Sequence, residues 1–561
     1  MGGPDVELVE RLAGSTIIAT TSLFAASIRG LRGFGLRSSS SNWSGMPPAL
    51  FIPSRISSGP TKLRTGSPRF ALSVGLLPLL SAKPHPPVWS RTVVSARLGW
   101  ARADTVALAL VTAAAALLRS IHLTRPNVIV ADELYYAREA CFFVYRSQQT
   151  CGIGEDAVSP HPPLGKWLIS LGIRAFGFNP LGWRIAALAA GVLTVALLYL
   201  LARRLLGTMP GAAMAAGLLA IDPLHFVHSR IAMLDVFVTL FIVASFLFLV
   251  IDRDHCEAAG GDSSAHGGQS ILSRQWLIAA GLAAGAAAAT KWVGFLALVG
   301  VAVLSVLWAA SRQATETLRE RLGAAVRNQR WQLVVAMVIA PLVVYVVSFA
   351  GRIDGPVLSW PWAHGSWARN FLYAQRAMLQ YHLELEYPGP YTSPAWSWPL
   401  IRRPVVYFQE ASEGRYREIL ALGSPVVWWA SLPAVAYLGI RVAQRRRASD
   451  AAVVVVGGFA VLYLPWLPVI TERSYTFLYY LLPAVPFMCL ALATVVTPWV
   501  RSRRGGAIVA VFCALAIAFF AFFYPVLTAT PLSKQAAEAR QWFRDCRPPP
   551  GSLASNGWCW R

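Results

Sequence analysis

Apolar runs of about 15–21 residues recur from residue 103 to residue 524, each closed by a short polar or arginine-bearing segment. A run of about 20 apolar residues is what an α-helix needs to cross a bilayer. The pattern predicts spans near 104–123, 183–202, 210–223, 232–251, 276–290, 293–310, 331–350, 425–440, 451–470, 477–497 and 506–524, eleven in all. The fold class expected is therefore an all-α polytopic membrane protein. Two connections, 124–182 and 351–424, are far longer than the rest, and loops of that length in a compact protein usually carry function.

Charge supplies the direction. With a cytoplasmic start, the short inside connections hold sixteen arginines, whereas the short outside ones hold only Arg230, Lys291 and Arg473. Positive residues are retained on the cytoplasmic side, so both long connections and the segment 525–561 are expected outside, in a multi-pass protein of the cell membrane. Residues 1–98 differ from the rest, with eleven Lys/Arg against Asp5, Glu7 and Glu10 and Ser/Gly/Pro-rich stretches such as RSSSSNWSGMPP. They read as a disordered basic extension, or as a weak targeting or surface-bound segment, ahead of a catalytic domain at 99–524.

Composition agrees: 55% of the 561 residues are hydrophobic and 14% charged, well below the roughly 25% charged usage of soluble domains. The net charge of +23 could suggest nucleic acid, but arginines beside apolar runs answer to the membrane, and no nucleic-acid partner is expected. Seven cysteines without CxxC or Cys/His spacing give no metal site. Cys141 with Cys151 and Cys546 with Cys559 fall on the outside and are either bridged or free thiols. An oxidising compartment favours bridges, while Cys256, Cys489 and Cys513 are expected to stay reduced.

The first long connection opens TRPNVIVADELYYAREACFF, which puts Asp132 and Glu133 side by side. On a helix, adjacent side chains diverge by about 100°, so one carboxylate could take a proton while the other orients a ligand; the pair could equally cap the helix that follows. Further on, His161-Pro162-Pro163 opens an amphipathic helix in which Trp167, Leu168, Leu171 and Phe176 face lipid while Lys166 and Arg174 snorkel. Asp235 and Arg230 sit near the outer end of one span and Lys291 near another. A short carboxylate inside a membrane is a functional candidate that needs a cationic partner such as Arg230 or Lys291. The second long connection holds Trp360, Trp362, Trp367, Trp396 and Trp398, read as an interfacial belt or as a groove for sugar and lipid. Arg402 and Arg403 follow at once, a plausible fork for phosphate oxygens.

These residues carry a resemblance. ADELYY followed by HPPLGKWLI, then HSRIAMLDVFVTLF, AAATKWVGF, SPAWSWPLIRRPVVYF, SPVVWWASLPA, FLYYLLPAVPF and FYPVLTATPLSKQ, resembles the protein O-mannosyltransferase family, in its bacterial, actinobacterial-type branch, over roughly 104–545. One position departs: Gly389 stands where a histidine would be expected before Pro390-Tyr391. The resemblance implies a GT-C glycosyltransferase fold and inverting transfer of mannose from a polyprenyl-phosphate-mannose lipid to Ser/Thr hydroxyls of secreted proteins, delivered by the secretion translocon. It implies no cofactor beyond the lipid-linked donor, and a homodimer is compatible with it. Placed on this chain, Asp132 is the base and Glu133 holds the acceptor or sugar hydroxyls. Arg402, Arg403, Lys291 or Arg230 meet the leaving phosphate, and Asp235, His161, Lys166, Trp396 and Trp398 line the donor site. A GT-C enzyme acting on a lipid or cell-wall glycan is the alternative, disfavoured by HPPLGK with ATKWVGF. A transporter is disfavoured because the charges gather at one face and no internal repeat is found.

Overall fold

The computed structural model describes residues 99–154, 160–258, 271–313, 317–350, 366–384, 389–444, 449–469, 476–548 and 557–560. The extension 1–98, Trp360 and Trp362 lie outside these residues.

In chain order the helices are α1 (Arg102–Ser120), α2 (Glu133–Tyr145), α3 (Leu164–Phe176), α4 (Pro180–Leu206), α5 (Met209–Ala220), α6 (Pro223–His228), α7 (Leu234–Ala258), α8 (Gln275–Thr290), α9 (Trp292–Ser311), α10 (Leu318–Asn328), α11 (Arg330–Ser348), α12 (Trp367–Glu384), α13 (Pro425–Ala443), α14 (Asp450–Pro468), α15 (Leu478–Arg501), α16 (Arg503–Leu527) and the short α17 (Lys534–Glu538). Among the described residues nine are long and apolar enough to cross a membrane: α1, α4, α7, α9, α11, α13, α14, α15 and α16. α5 and α8 are apolar but shorter. Together these eleven coincide with the eleven apolar runs of the sequence.

The bundle centres on α7, the most buried span. Packing without a hydrophobic force between helices relies on small residues that let backbones approach, and α8, reading QWLIAAGLAAGAAAAT, is built of them. A Cβ on Gly281 would sit inside the carbonyl of Ala336 in α11. Opposite it α11 opens into a wide turn, Val335–Ile339, a local widening of the kind that helices accommodate as a π-bulge.

One end of the bundle is tied by ion pairs. Arg203 of α4 holds Asp104 of α1, Arg204 holds Asp254, Arg274 holds Asp252, and Arg253 reaches Asp450 at 2.7 Å. The two long connections emerge at the opposite end. The first is occupied by α2 and α3, with a Cys141–Cys151 disulfide from the end of α2. The second holds α12 and, against the all-α expectation, a β-hairpin: β1 (Val405–Ser412) and β2 (Arg415–Ala421) pair antiparallel, and β3 (Leu532–Ser533) adds to β2. The signal was present as two β-prone runs flanking Glu413-Gly414. Both turn residues take positive φ, 53° and 70°, the geometry of tight hairpin turns. Cys546 and Cys559 are bridged, while Cys256, Cys489 and Cys513 are free.

Candidate active site

Asp132 is the residue from which α2 starts, preceded by Ala131 in a left-handed conformation (φ 47°) that turns the chain sharply after Val130. Its side chain is half-buried, and Tyr136 one turn on donates to it at 3.4 Å, its sole hydrogen-bonding side-chain partner among the described residues. Burial is the main force raising its pKa to about 6. The positive charge of Lys291 opposes the shift, the negative charge of Asp235 adds to it, and Tyr136 opposes it weakly.

Glu133 points the other way and is fully buried. Arg184 of α4 forks it at 2.8 and 2.9 Å, and the backbone N–H groups of Val130 and Ala232 donate to it at 3.0 Å each. Arg184 itself continues to the carbonyls of Leu123, Pro126 and Val128. Four donors fill a carboxylate's accepting capacity. The expectation that Glu133 holds a substrate hydroxyl is corrected: it pins the ADE turn to α4 and to the residues leading into α7. Residue spacing could not reveal this, because the partner lies 51 positions away.

Asp235 and Lys291 meet as expected, at 3.0 and 3.2 Å, joining the first turn of α7 to the end of α8. The Lys291 ammonium lies 4.9 Å from the Tyr480 ring centre and 5.8 Å from that of Tyr479. Two residues unmarked by the sequence reading complete the cluster. Tyr407 of β1, at a bulge in the hairpin, sends its hydroxyl to His228 Nε2 at 2.9 Å. The His228 ring packs on Tyr407 and Tyr479. Burial lowers the His228 pKa to about 4, so this imidazole is neutral at pH 7. Asp132, Asp235, Lys291, Tyr407 and His228 are thereby brought within electrostatic reach of one another.

Other expected site residues serve the frame. Arg230 donates to the carbonyls of Arg119, Ile121 and His122; it caps the end of α1, as a cation at a helix C-terminus does, and is not placed as a phosphate clamp. Lys166 does not snorkel. It is fully buried, pairs with Glu139 of α2 at 2.7 Å and donates to the His161 carbonyl at 2.7 Å, locking α3 to α2. Leu171, Phe176 and Arg174 do face outward as the amphipathic pattern requires. His161 is buried between the rings of Tyr136, the residue that contacts Asp132, and His382 of α12. Trp398 is wholly buried with its N–H on the Ser393 carbonyl, a core residue and not a groove wall. Trp396 is half exposed, with the Arg402 guanidinium 4.8 Å from its ring centre.

Arg402 and Arg403 keep open donors. Arg403 is buried and gives Nε to the Pro390 carbonyl at 2.8 Å, while its Nη1 has no hydrogen-bond partner among the described residues; the Nε of Arg402 is likewise buried and without one among them. A buried guanidinium N–H without an acceptor is costly, so these donors have capacity for an anionic acceptor. Arg403 precedes Tyr407 by four residues, so their Cα atoms are at most about 14 Å apart. Among the described residues no three His, Cys, Asp or Glu side chains gather as a metal-ligand set.

Comparison with known proteins gives a consistent picture. Residues 179–351 match the family model for dolichyl-phosphate-mannose-protein mannosyltransferase, and residues 367–546 match that for the C-terminal four-span region of protein O-mannosyltransferase. The chain is 29% identical over 532 residues to the polyprenol-phosphate-mannose–protein mannosyltransferase of Mycolicibacterium smegmatis, covering 87% of this chain and 100% of that protein. It is 28% identical to the protein of the same name from Corynebacterium glutamicum, over 80% of this chain and 94% of the relative. In three dimensions it resembles the protein O-mannosyltransferase Pmt1-Pmt2 complex of S. cerevisiae, solved with its sugar donor, with a TM-score of 0.65 at 17% identity over 82% of this chain and 96% of that one.

Proposed function

The chain belongs to the protein O-mannosyltransferase family, and from that premise we propose that it transfers mannose from a polyprenyl-phosphate-mannose lipid to Ser/Thr hydroxyls of proteins, with Asp132 as the general base. The observation that carries the assignment is the contrast between neighbours: Glu133 has four donors, whereas Asp132 has one weak one and a raised pKa of about 6. A carboxylate with free accepting capacity and a pKa near working pH is suited to take a proton.

In this reading the acceptor hydroxyl gives its proton to Asp132 as its oxygen bonds to the anomeric carbon. The bond from that carbon to the phosphate oxygen breaks, and the phosphate leaves with its lipid. Attack opposite the leaving group inverts the configuration. Lys291, held by Asp235 against Tyr479 and Tyr480, and the open donors of Arg402 and Arg403 meet the charge that grows on the phosphate, preorganised stabilisation of the kind that lowers such barriers most. Trp396, half exposed beside Arg402, offers a face to sugar or prenyl chain. The Asp132 end lies outside the cell membrane, since the opposite end bears most of the arginines between spans.

The test is transfer itself. Membranes containing the protein should move labelled mannose from polyprenyl phosphate to a Ser/Thr peptide, and a matching Ala peptide should stay unlabelled. Label recovered only in lipid or glycan extracts would replace this reading with the glycan-directed alternative.

A further inference from the structure

The turn that carries the two arginines is held from outside by a distant part of the chain. Segments 543–546 and 558–560 pair with each other, through Asp545 N–H to the Trp558 carbonyl at 3.0 Å and Trp560 N–H to the Phe543 carbonyl at 2.9 Å, and the Cys546–Cys559 disulfide closes the pair. This unit then donates twice to the arginine turn: the Trp560 indole N–H to the Ile401 carbonyl at 2.7 Å, and the Cys559 N–H to the Arg402 carbonyl at 3.0 Å. Ile401 has φ of 56°, a left-handed conformation that a β-branched residue rarely adopts unless its surroundings impose it. Trp560 is buried against Trp542, Phe543 and Phe523 of α16, so the restraint is anchored in a span.

We propose that this disulfide-closed unit is a positioning clamp for the donor site, with Trp560 fixing the backbone from which Arg402 and Arg403 project and so setting affinity for the lipid phosphate. The inference rests on the reading of those arginines as the phosphate-holding pair. Trp560 touches neither substrate nor reacting atoms; it acts through Ile401.

The test uses the full chain in membranes with polyprenyl-phosphate-mannose and a Ser/Thr peptide. Trp560→Phe deletes the N–H and leaves a smaller aromatic ring in the same pocket. It should raise the donor KM by roughly three- to tenfold, the worth of one hydrogen bond, with the peptide KM and kcat unchanged. Cys546→Ser with Cys559→Ser should move the donor KM in the same direction and serves where Trp560→Phe inserts poorly. In an R402A/R403A background Trp560→Phe should add nothing, because the two changes act through one element. Equal rises in donor and peptide KM, a loss confined to kcat, or an additive effect in that background would overturn the clamp. A donor KM raised by R402A/R403A but untouched by both tail variants refutes the clamp alone. A donor KM unmoved by R402A/R403A refutes the underlying reading of the arginines.

Discussion

The two ends of the bundle use the same residue types to opposite effect. At the Asp104 end, Asp104, Asp252, Asp254 and Asp450 each meet an arginine, and the pairs lace α1, α4, α7, α8 and α14 together. At the Asp132 end the charges divide. Glu133, Lys166 and Arg230 are saturated by buried partners, whereas Asp132, Arg402 and Arg403 keep open hydrogen-bonding capacity. A satisfied buried charge holds elements in place, and one left incomplete waits for a ligand. On the proposed reading, the difference teaches that the working charges at this end are marked less by their presence than by their incompleteness.

The sharpest way to break this comparison is at the two adjacent acids. Asp132→Asn should lower transfer by about 10²–10⁴-fold, the loss of one general base, with membrane insertion and melting temperature preserved. Glu133→Gln should act on stability instead, because removing one partner of a buried pair costs about 3–5 kcal/mol. Thermal melting in detergent alongside single-turnover transfer separates the two. A stable, inactive Glu133→Gln with a near-normal Asp132→Asn would move the base to Glu133.

A smaller effect is expected from arginines at the two ends. Arg403→Ala removes hydrogen bonds to a charged ligand, worth about 1.5–3 kcal/mol each, and should weaken donor use roughly tenfold or more, in addition to what the lost bond to the Pro390 carbonyl takes from the melting temperature. Arg253→Ala, which removes one ion-pair partner each from Asp450 and Asp254, should lower the melting temperature and leave the donor KM of the surviving protein alone. Donor titrations of both variants that look alike would erase the distinction between the ends.

Among the described residues the apolar pattern alone located the nine helices long enough to cross a membrane and the two shorter apolar ones, because spans answer to composition over about 20 residues and to little else. The Asp235–Lys291 pair was legible for a similar reason: a carboxylate buried near a membrane face must find a cation, and few were available. What failed was telling working charges from structural ones. Arg184, Glu139 and the carbonyls capped by Arg230 are distant in sequence from the residues they satisfy, so nothing in the local spacing of Glu133, Lys166 or Arg230 distinguishes them from Asp132. Tyr407 was missed because its role depends on the hairpin bulge that aims it at His228. Its signal was the Glu413-Gly414 turn between two β-prone runs.

The mildest prediction concerns pH and bears on whether Asp132 is incomplete in the sense argued. With a pKa of about 6, raised mainly by burial, Asp132 is about one-tenth ionised at pH 5 and about nine-tenths at pH 7, so kcat/KM should climb about tenfold across that interval. The limb should vanish in Asp132→Asn. It should move to higher pH in Lys291→Met, since the lysine charge favours the carboxylate, and to lower pH in Asp235→Asn, since the aspartate charge disfavours it. The sign of the linked stability separates chemistry from unfolding. A carboxyl whose folded pKa exceeds its ordinary 3.8 binds its proton more tightly in the folded state, so its contribution to stability is full below about 4 and is lost as pH rises through about 6. On account of this group, then, acidification from pH 7 to pH 5 should not lower the melting temperature while it removes activity. An acid limb that persists in Asp132→Asn would assign the titration to another group and leave the base unidentified.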